Sequence, residues 1–119
     1  MPKFALLIYT DESQAATASE EDQAQVTKEY TEYTAAITSE GINKGGEALQ
    51  PTATAKSVQV RDGERMVSDG PFAETNEQLG GFYLVECATE EQAIDAAARL
   101  PGSKWGTVEV RPVWEFPEA

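Results

Sequence analysis

Proton transfer in this chain falls to carboxylates and tyrosines, because it contains no histidine. The candidates are Asp69, Glu47, Glu74 and Tyr9, any of which can act as acid or base once burial or a nearby charge moves its pKa. Arg111 adds a planar cation whose fork suits two parallel hydrogen bonds, either to a carboxylate or phosphate on a ligand or to a structural partner among Glu109, Glu47 and Asp69. Asp69 and Arg111 are therefore the candidates for catalysis, and Asp69, Phe72, Glu74, Arg111, Glu47 and Tyr9 those for ligand contact. None has a partner at a spacing diagnostic of one reaction. No metal is expected, since a single Cys and no His leave only a carboxylate-rich site for a hard cation, and no loop has that ligand spacing. No cofactor is expected either: there is no P-loop, and Gly45-Gly46 and Gly80-Gly81 are too short to cradle a phosphate. Close backbone approach, a bend or a bulge suits those glycines better.

Asp69, Phe72 and Glu74 belong to one run, Val67-Ser68-Asp69-Gly70-Pro71-Phe72-Ala73-Glu74-Thr75. Gly takes positive φ and Pro fixes its own, so a strand end is turned into a loop with little backbone freedom. Asp69 is placed to accept hydrogen bonds from the backbone just ahead, which makes it either a turn-capping group or an acid of a cleft.

The elements that must position these residues follow from patterning. Residues 4–9 and 82–87 are apolar at odd and even positions alike, as central strands are, whereas 57–61 and 107–111 alternate and belong nearer an edge. Ser19 with Asp22 predicts a helix start, and Val26, Tyr30, Tyr33 and Ile37 recur at helical spacing until Gly41. That spacing reads as core and rim packing. Residues 44–50 form a further strand candidate before Pro51, residues 56–61 and 64–67 flank the hairpin turn Asp62-Gly63, and Thr89 with Gln92 predicts a capping box opening a helix that runs to Pro101. The order is β, α, β, hairpin, β, α, β: an α+β, ferredoxin-like antiparallel sheet with two helices on one face and an inserted hairpin. Such a sheet leaves its other face apolar and bare, and a second copy is the simplest cover. Patterning thus predicts a homodimer, a dimeric α+β barrel. Small-molecule clefts open beside its strand ends, bordered here by the loop 69–74 and Arg111.

The chain resembles the YCII-related proteins, in the branch named for the Asp-Gly-Pro-Phe motif. The features that carry this are Leu6-Leu7-Ile8-Tyr9, Gly46-Glu47-Ala48-Leu49-Gln50-Pro51, Asp69-Gly70-Pro71-Phe72-Ala73-Glu74-Thr75 with Glu77-Gln78-Leu79-Gly80-Gly81, and Val108-Glu109-Val110-Arg111-Pro112. The resemblance implies small bacterial proteins of the dimeric α+β barrel type, and an association with extracytoplasmic-function sigma factors as genomic neighbours or fused partners. Other members of the wider group resemble enzymes with a His on the first helix and an Asp before a Pro at the end of the second. Here there is no His, and Leu100 precedes Pro101, so neither half of that dyad carries over.

A length of 119 residues with 40% hydrophobic content fits one domain, residues 1–119. No apolar run is long enough to span a bilayer or form a signal-peptide core, so a soluble, cytoplasmic protein with no membrane contact is expected. Cys87 has no disulfide partner and reads as a small buried hydrophobe. A net charge of −12, from 9 basic and 21 acidic residues, disfavours direct nucleic-acid binding. The acids gather at Asp11-Glu12, Glu20-Glu21-Asp22, Glu90-Glu91 and from Glu115 to Glu118, and much of this charge has a plain reason, since acids in the first turn of a helix favour its positive dipole end. Three functions remain open: a homodimer binding a small molecule in its cleft, a regulatory module engaging a basic, sigma-factor-related partner, and a structural dimer without ligand.

Overall fold

The computed structural model describes residues 1–117; Glu118, the last acid of the C-terminal stretch, lies outside them. Its elements in chain order are β1 (Lys3–Thr10), α1 (Glu12–Ala16), α2 (Glu20–Ser39), β2 (Asn43–Ala48), β3 (Lys56–Arg61), β4 (Glu64–Asp69), β5 (Gln78–Glu86), α3 (Glu90–Ala98) and β6 (Thr107–Pro112). Four strands form an antiparallel sheet in the order β2-β5-β1-β6, the ferredoxin-like arrangement, while β3 and β4 pair only with each other. The two strands predicted to be central, β1 and β5, are the central pair. β6 lies at the edge as its alternation requires, whereas β3, equally alternating, leaves the sheet for the hairpin.

Register divides the side chains between two faces. Phe4, Leu6 and Ile8 of β1, with Val85 and Cys87 of β5, form the core together with Tyr33 and Ile37 of α2, Ala93, Ala96 and Ala97 of α3, and Leu100. The alanines of α3 are small enough to bring that helix close to the sheet, and Val108 and Val110 of β6 pack against the same cluster. Both long helices therefore cover one face. On the other face Ala5, Leu7 and Tyr9 stand half-buried beside Leu84, with Glu109 and Arg111 opposite Leu7 and Ala5 across the β1–β6 ladder.

The helix ends are built as the sequence predicts. Ser19 Oγ accepts the Asp22 N–H at 3.0 Å to open α2, and Gly41 at φ 82° turns the chain out of it. Thr89 and Gln92 form the full capping box of α3. The short α1 has no counterpart in the sequence reading, because its five residues are too few for a periodic pattern. Asp11 caps it through the Ser13 N–H at 2.9 Å and the Ser13 hydroxyl at 2.6 Å, bonds that lower the Asp11 pKa. Glu12 then accepts the Thr52 N–H at 2.8 Å and the Thr52 hydroxyl at 2.7 Å, tying α1 to the loop that follows β2.

The hairpin projects as an arm. The radius of gyration is 16.4 Å, with extents of 49 × 47 × 18 Å, against roughly 13 to 14 Å expected for a compact chain of this length. Val58, Val60 and Val67 share one face of the arm by register and are 59%, 61% and 54% exposed. Beyond β6 the tail also exposes Trp114 and Phe116, whose rings stack on each other.

Tyr33 closes the core at the end of α3. Its hydroxyl donates to the Ala96 carbonyl at 2.8 Å, one of the last-turn carbonyls that α3 leaves without a helical partner, because the Leu100 N–H goes to Ala97. Arg99 fastens the same corner by donating twice to Glu40, at 2.8 and 2.9 Å. Tyr33→Phe leaves a buried carbonyl unpaired and is expected to lower unfolding stability by about 1–3 kcal/mol in urea titration. Burial pushes the Tyr33 pKa above its ordinary value. The folded state thus holds this proton more tightly than the unfolded one, and its contribution is complete below the ordinary phenol pKa of about 10 and is lost as pH rises beyond it. Tyr33→Phe should flatten the alkaline limb of the stability profile; an unchanged limb would remove Tyr33 as its cause.

Candidate ligand cavity

A cavity of about 560 Å³ opens on the helix-covered side of the sheet, between the N-terminal half of α2 and the β2–β5 edge. Glycines create it. Gly45 and Gly46 of β2 face Leu84 and Tyr83 of β5, and Gly80 and Gly81 lie at the other end of the same ladder. A Cβ on Gly46 would meet the Phe82 carbonyl oxygen at 2.4 Å, and one on Gly81 would meet the Glu47 carbonyl oxygen at 2.9 Å. Gly45 and Gly46 also hold φ values of 134° and 156°, and the ladder shifts register between Asn43 and Gly45. Bare backbone thus forms the floor, and the volume that side chains would otherwise fill is open.

The walls come from the helical stripe and from the core strands. Val26, Tyr30 and Thr34 of α2 line one side, Ile8 and Thr10 of β1 with Tyr83 of β5 another, and Ala15 and Trp105 approach from α1 and from the turn before β6. Val26 and Tyr30, read from spacing as core and rim, face this cavity because the glycines opposite supply nothing to pack on. Tyr33 and Ile37, further along the stripe, are buried as expected.

Hydroxyl protons can be assigned by counting. Thr34 Oγ1 lies 2.9 Å from the Tyr30 carbonyl oxygen, to which its single proton is donated, and 2.7 Å from the Tyr83 hydroxyl. Tyr83 must then donate to Thr34, which leaves its oxygen with lone pairs only. Tyr30 is different: burial raises its pKa, while the Gly102 backbone N–H bonded to its oxygen acts in the other direction. With that lone pair used, the Tyr30 proton is free to donate. The Asn43 amide is spent within the fold, donating to Thr38 Oγ1 at 2.9 Å and accepting the Gly45 N–H at 3.0 Å.

The six residues singled out from sequence lie in three places. Glu47 borders the cavity, but it pairs with Phe82, which stands opposite Leu7, so its side chain belongs to the helix-free face. Tyr9 and Arg111 stand on the helix-free face of the sheet, where Arg111 Nε donates to Glu109 at 3.0 Å and Glu109 raises the Arg111 pKa. Asp69, Phe72 and Glu74 are exposed at the base of the arm and in the loop after it. Asp69 is ion-paired with Lys56 across the β3–β4 ladder. The brace of the turn comes from its neighbours, since the Gly70 N–H donates to the Ala55 carbonyl and Ser57 Oγ donates to the Gly70 carbonyl, each at 2.8 Å. Sequence reasoning missed Tyr30, Thr34, Tyr83, Thr10 and Trp105. The signal that could have found them was the pairing of two Gly-Gly steps with an aromatic, hydroxyl-rich stripe on a helix. Cys87 is buried, with a thiol pKa raised by that burial, which leaves it inert at neutral pH.

A ferredoxin-like sheet with an inserted hairpin and a helix-side cavity defines a small α+β domain. The model of the YCII-related domain matches residues 2–117, and the chain belongs to that family. It is also similar to an uncharacterised protein of Rhizobium meliloti (strain 1021), 38% identical over 112 residues, which covers 92% of this chain and 90% of that relative. Within the described residues, no helix is long and apolar enough to cross a membrane.

The glycine floor predicts a graded response to substitution. Gly46→Ala forces a side chain into the Phe82 carbonyl at positive φ and should lower stability by about 1–3 kcal/mol or more. Gly80→Ala, whose new methyl would have Thr10 Oγ1 as its nearest neighbour at 4.0 Å, should stay within about 0.5 kcal/mol of the parent. Parallel thermal melts compare the two, and equal losses would show that close approach does not set the β2–β5 edge.

Proposed function

We propose that this chain is a small-molecule-binding protein of one domain that works as a homodimer, with its ligand held between α2 and the glycine floor. The observation that carries this is the cavity itself. Its volume of about 560 Å³ falls within the roughly 300–1,000 Å³ typical of ligand sites, and its apolar walls hold a few unspent polar groups. Binding, and not acid–base turnover, is the function supported here. The carboxylate Glu47 is exposed, and Tyr30, with its pKa raised by burial, is a poor base at neutral pH. Arg111 and Asp69 each have an intramolecular ionic partner and serve architecture in this proposal.

Three apolar surfaces support the homodimer: the helix-free sheet face around Leu7 and Leu84, the valine face of the arm, and the Trp114–Phe116 tail. Soluble monomers rarely leave so much apolar surface in water. Joined face to face, two sheets would bury about 1,600 Å² or more. Sedimentation at micromolar concentration should give a dimer, and Leu84→Asp, which sets two charges into one interface, should give a folded monomer. A monomeric parent would sink the dimer.

The ligand site is tested by soaking crystals with a panel of aromatic and aliphatic fragments. Density is expected against Tyr30 and Tyr83, and Val26→Trp or Ala15→Trp, which fill the cavity from α2 and α1, should abolish it. Fragments that bind elsewhere, or that bind both filled variants as well as the parent, would overturn the assignment.

A further inference from the structure

The cavity's chemistry is one-sided. Its lining includes neither Lys nor Arg, and the whole chain carries a net charge of −12. An anionic ligand would enter a negative field with no cation to receive it. Three aromatic side chains, Tyr30, Tyr83 and Trp105, contribute to the walls, and the negative faces of such rings attract a desolvated ammonium. The proton count points the same way. Because Tyr83 spends its proton on Thr34, its oxygen can only accept, so it selects a ligand group that donates. Tyr30, with a free proton, is placed to meet an acceptor on the same molecule.

We infer that the cavity takes an organic cation, a primary or secondary ammonium on an apolar or aromatic body, an inference that rests on the cavity being the ligand site. The ammonium N–H groups bond the Tyr83 oxygen, the surrounding aromatic faces meet its charge, and the apolar body lies over the glycine floor between Val26 and Ile8. Anions of the same size are rejected by the missing cation. Neutral isosteres lose the charge interactions and keep the apolar ones.

The test uses the full chain and three probes of nearly equal shape: 2-phenylethylammonium, 2-phenylethanol and phenylacetate, titrated by calorimetry and by amide chemical shifts. The ammonium should bind about tenfold tighter than the alcohol, with shifts centred on Gly46, Gly81 and Thr34, and phenylacetate should not bind. Thr34→Val, which removes the acceptor for the Tyr83 proton and frees that proton to donate, should move selectivity toward the alcohol.

Alcohol and ammonium binding equally at the cavity, both lost in Val26→Trp, would overturn the cationic ligand and leave the cavity as the site. Tight binding of phenylacetate at the cavity would do the same. If the ammonium binds in Val26→Trp and Ala15→Trp as it does in the parent, both the ligand class and the site fall. If none of the three probes binds, the ligand class falls, and the fragment soaks decide the cavity independently.

Discussion

The backbone of β2 lies against that of β5 with no room for a side chain at Gly46 or Gly81, and much else follows from this contact. It fixes the outer edge of the sheet and forces β2 into a bulged, positive-φ path that ordinary residues would resist. It also removes the side chains that would have packed beneath the first half of α2. The helix continues over that gap because its second half is anchored, through Tyr33 and Ile37 in the core and through the C-terminal corner where Arg99 grips Glu40. A void under a well-anchored helix persists; under a loosely held one it would collapse.

Anchoring and opening are thus divided along one helix. Tyr30 and Tyr33 are three residues apart on the same stripe, yet one satisfies a carbonyl of α3 and the other faces open space. What differs is the element opposite. Tyr33 meets the alanines of α3, which come close, while Tyr30 meets strands stripped to glycine.

Much of the fold was legible in the chain because its signals are local and redundant. Two-sided apolarity marked β1 and β5, Ser19 and Thr89 marked the helix starts, and Asp62-Gly63 marked the hairpin turn. The site was less legible. Asp69, Phe72 and Glu74 drew attention because a Gly-Pro turn is conspicuous in sequence, but the conformation it imposes turns them outward at the base of the arm. Arg111 was placed on the correct face by strand parity, which cannot tell whether a charged group finds its partner two residues away, as it does in Glu109. The cavity was hidden because its defining property is absent volume. Gly45-Gly46 and Gly80-Gly81 were read rightly as sites of close approach, and only the pairing of β2 with β5 reveals that the two steps lie side by side beneath Tyr30.

The strand order carries a consequence for how the protein is made. β1 is synthesised first, yet its partners are β5 and β6: Lys3 pairs with Glu86, and Phe4 with Pro112. As the chain leaves the ribosome, the most apolar strand waits for nearly all the others before its hydrogen bonds can close, and only then can α2 settle on a finished sheet. Helix and hairpin can form early, since both are local, whereas the sheet waits on loop closures that span most of the chain. A nascent chain stopped short of β6 would hold β1 with one flank open, a template for pairing with other chains. The apolar strand that organises the folded protein is, until β6 emerges, its most exposed liability to aggregation.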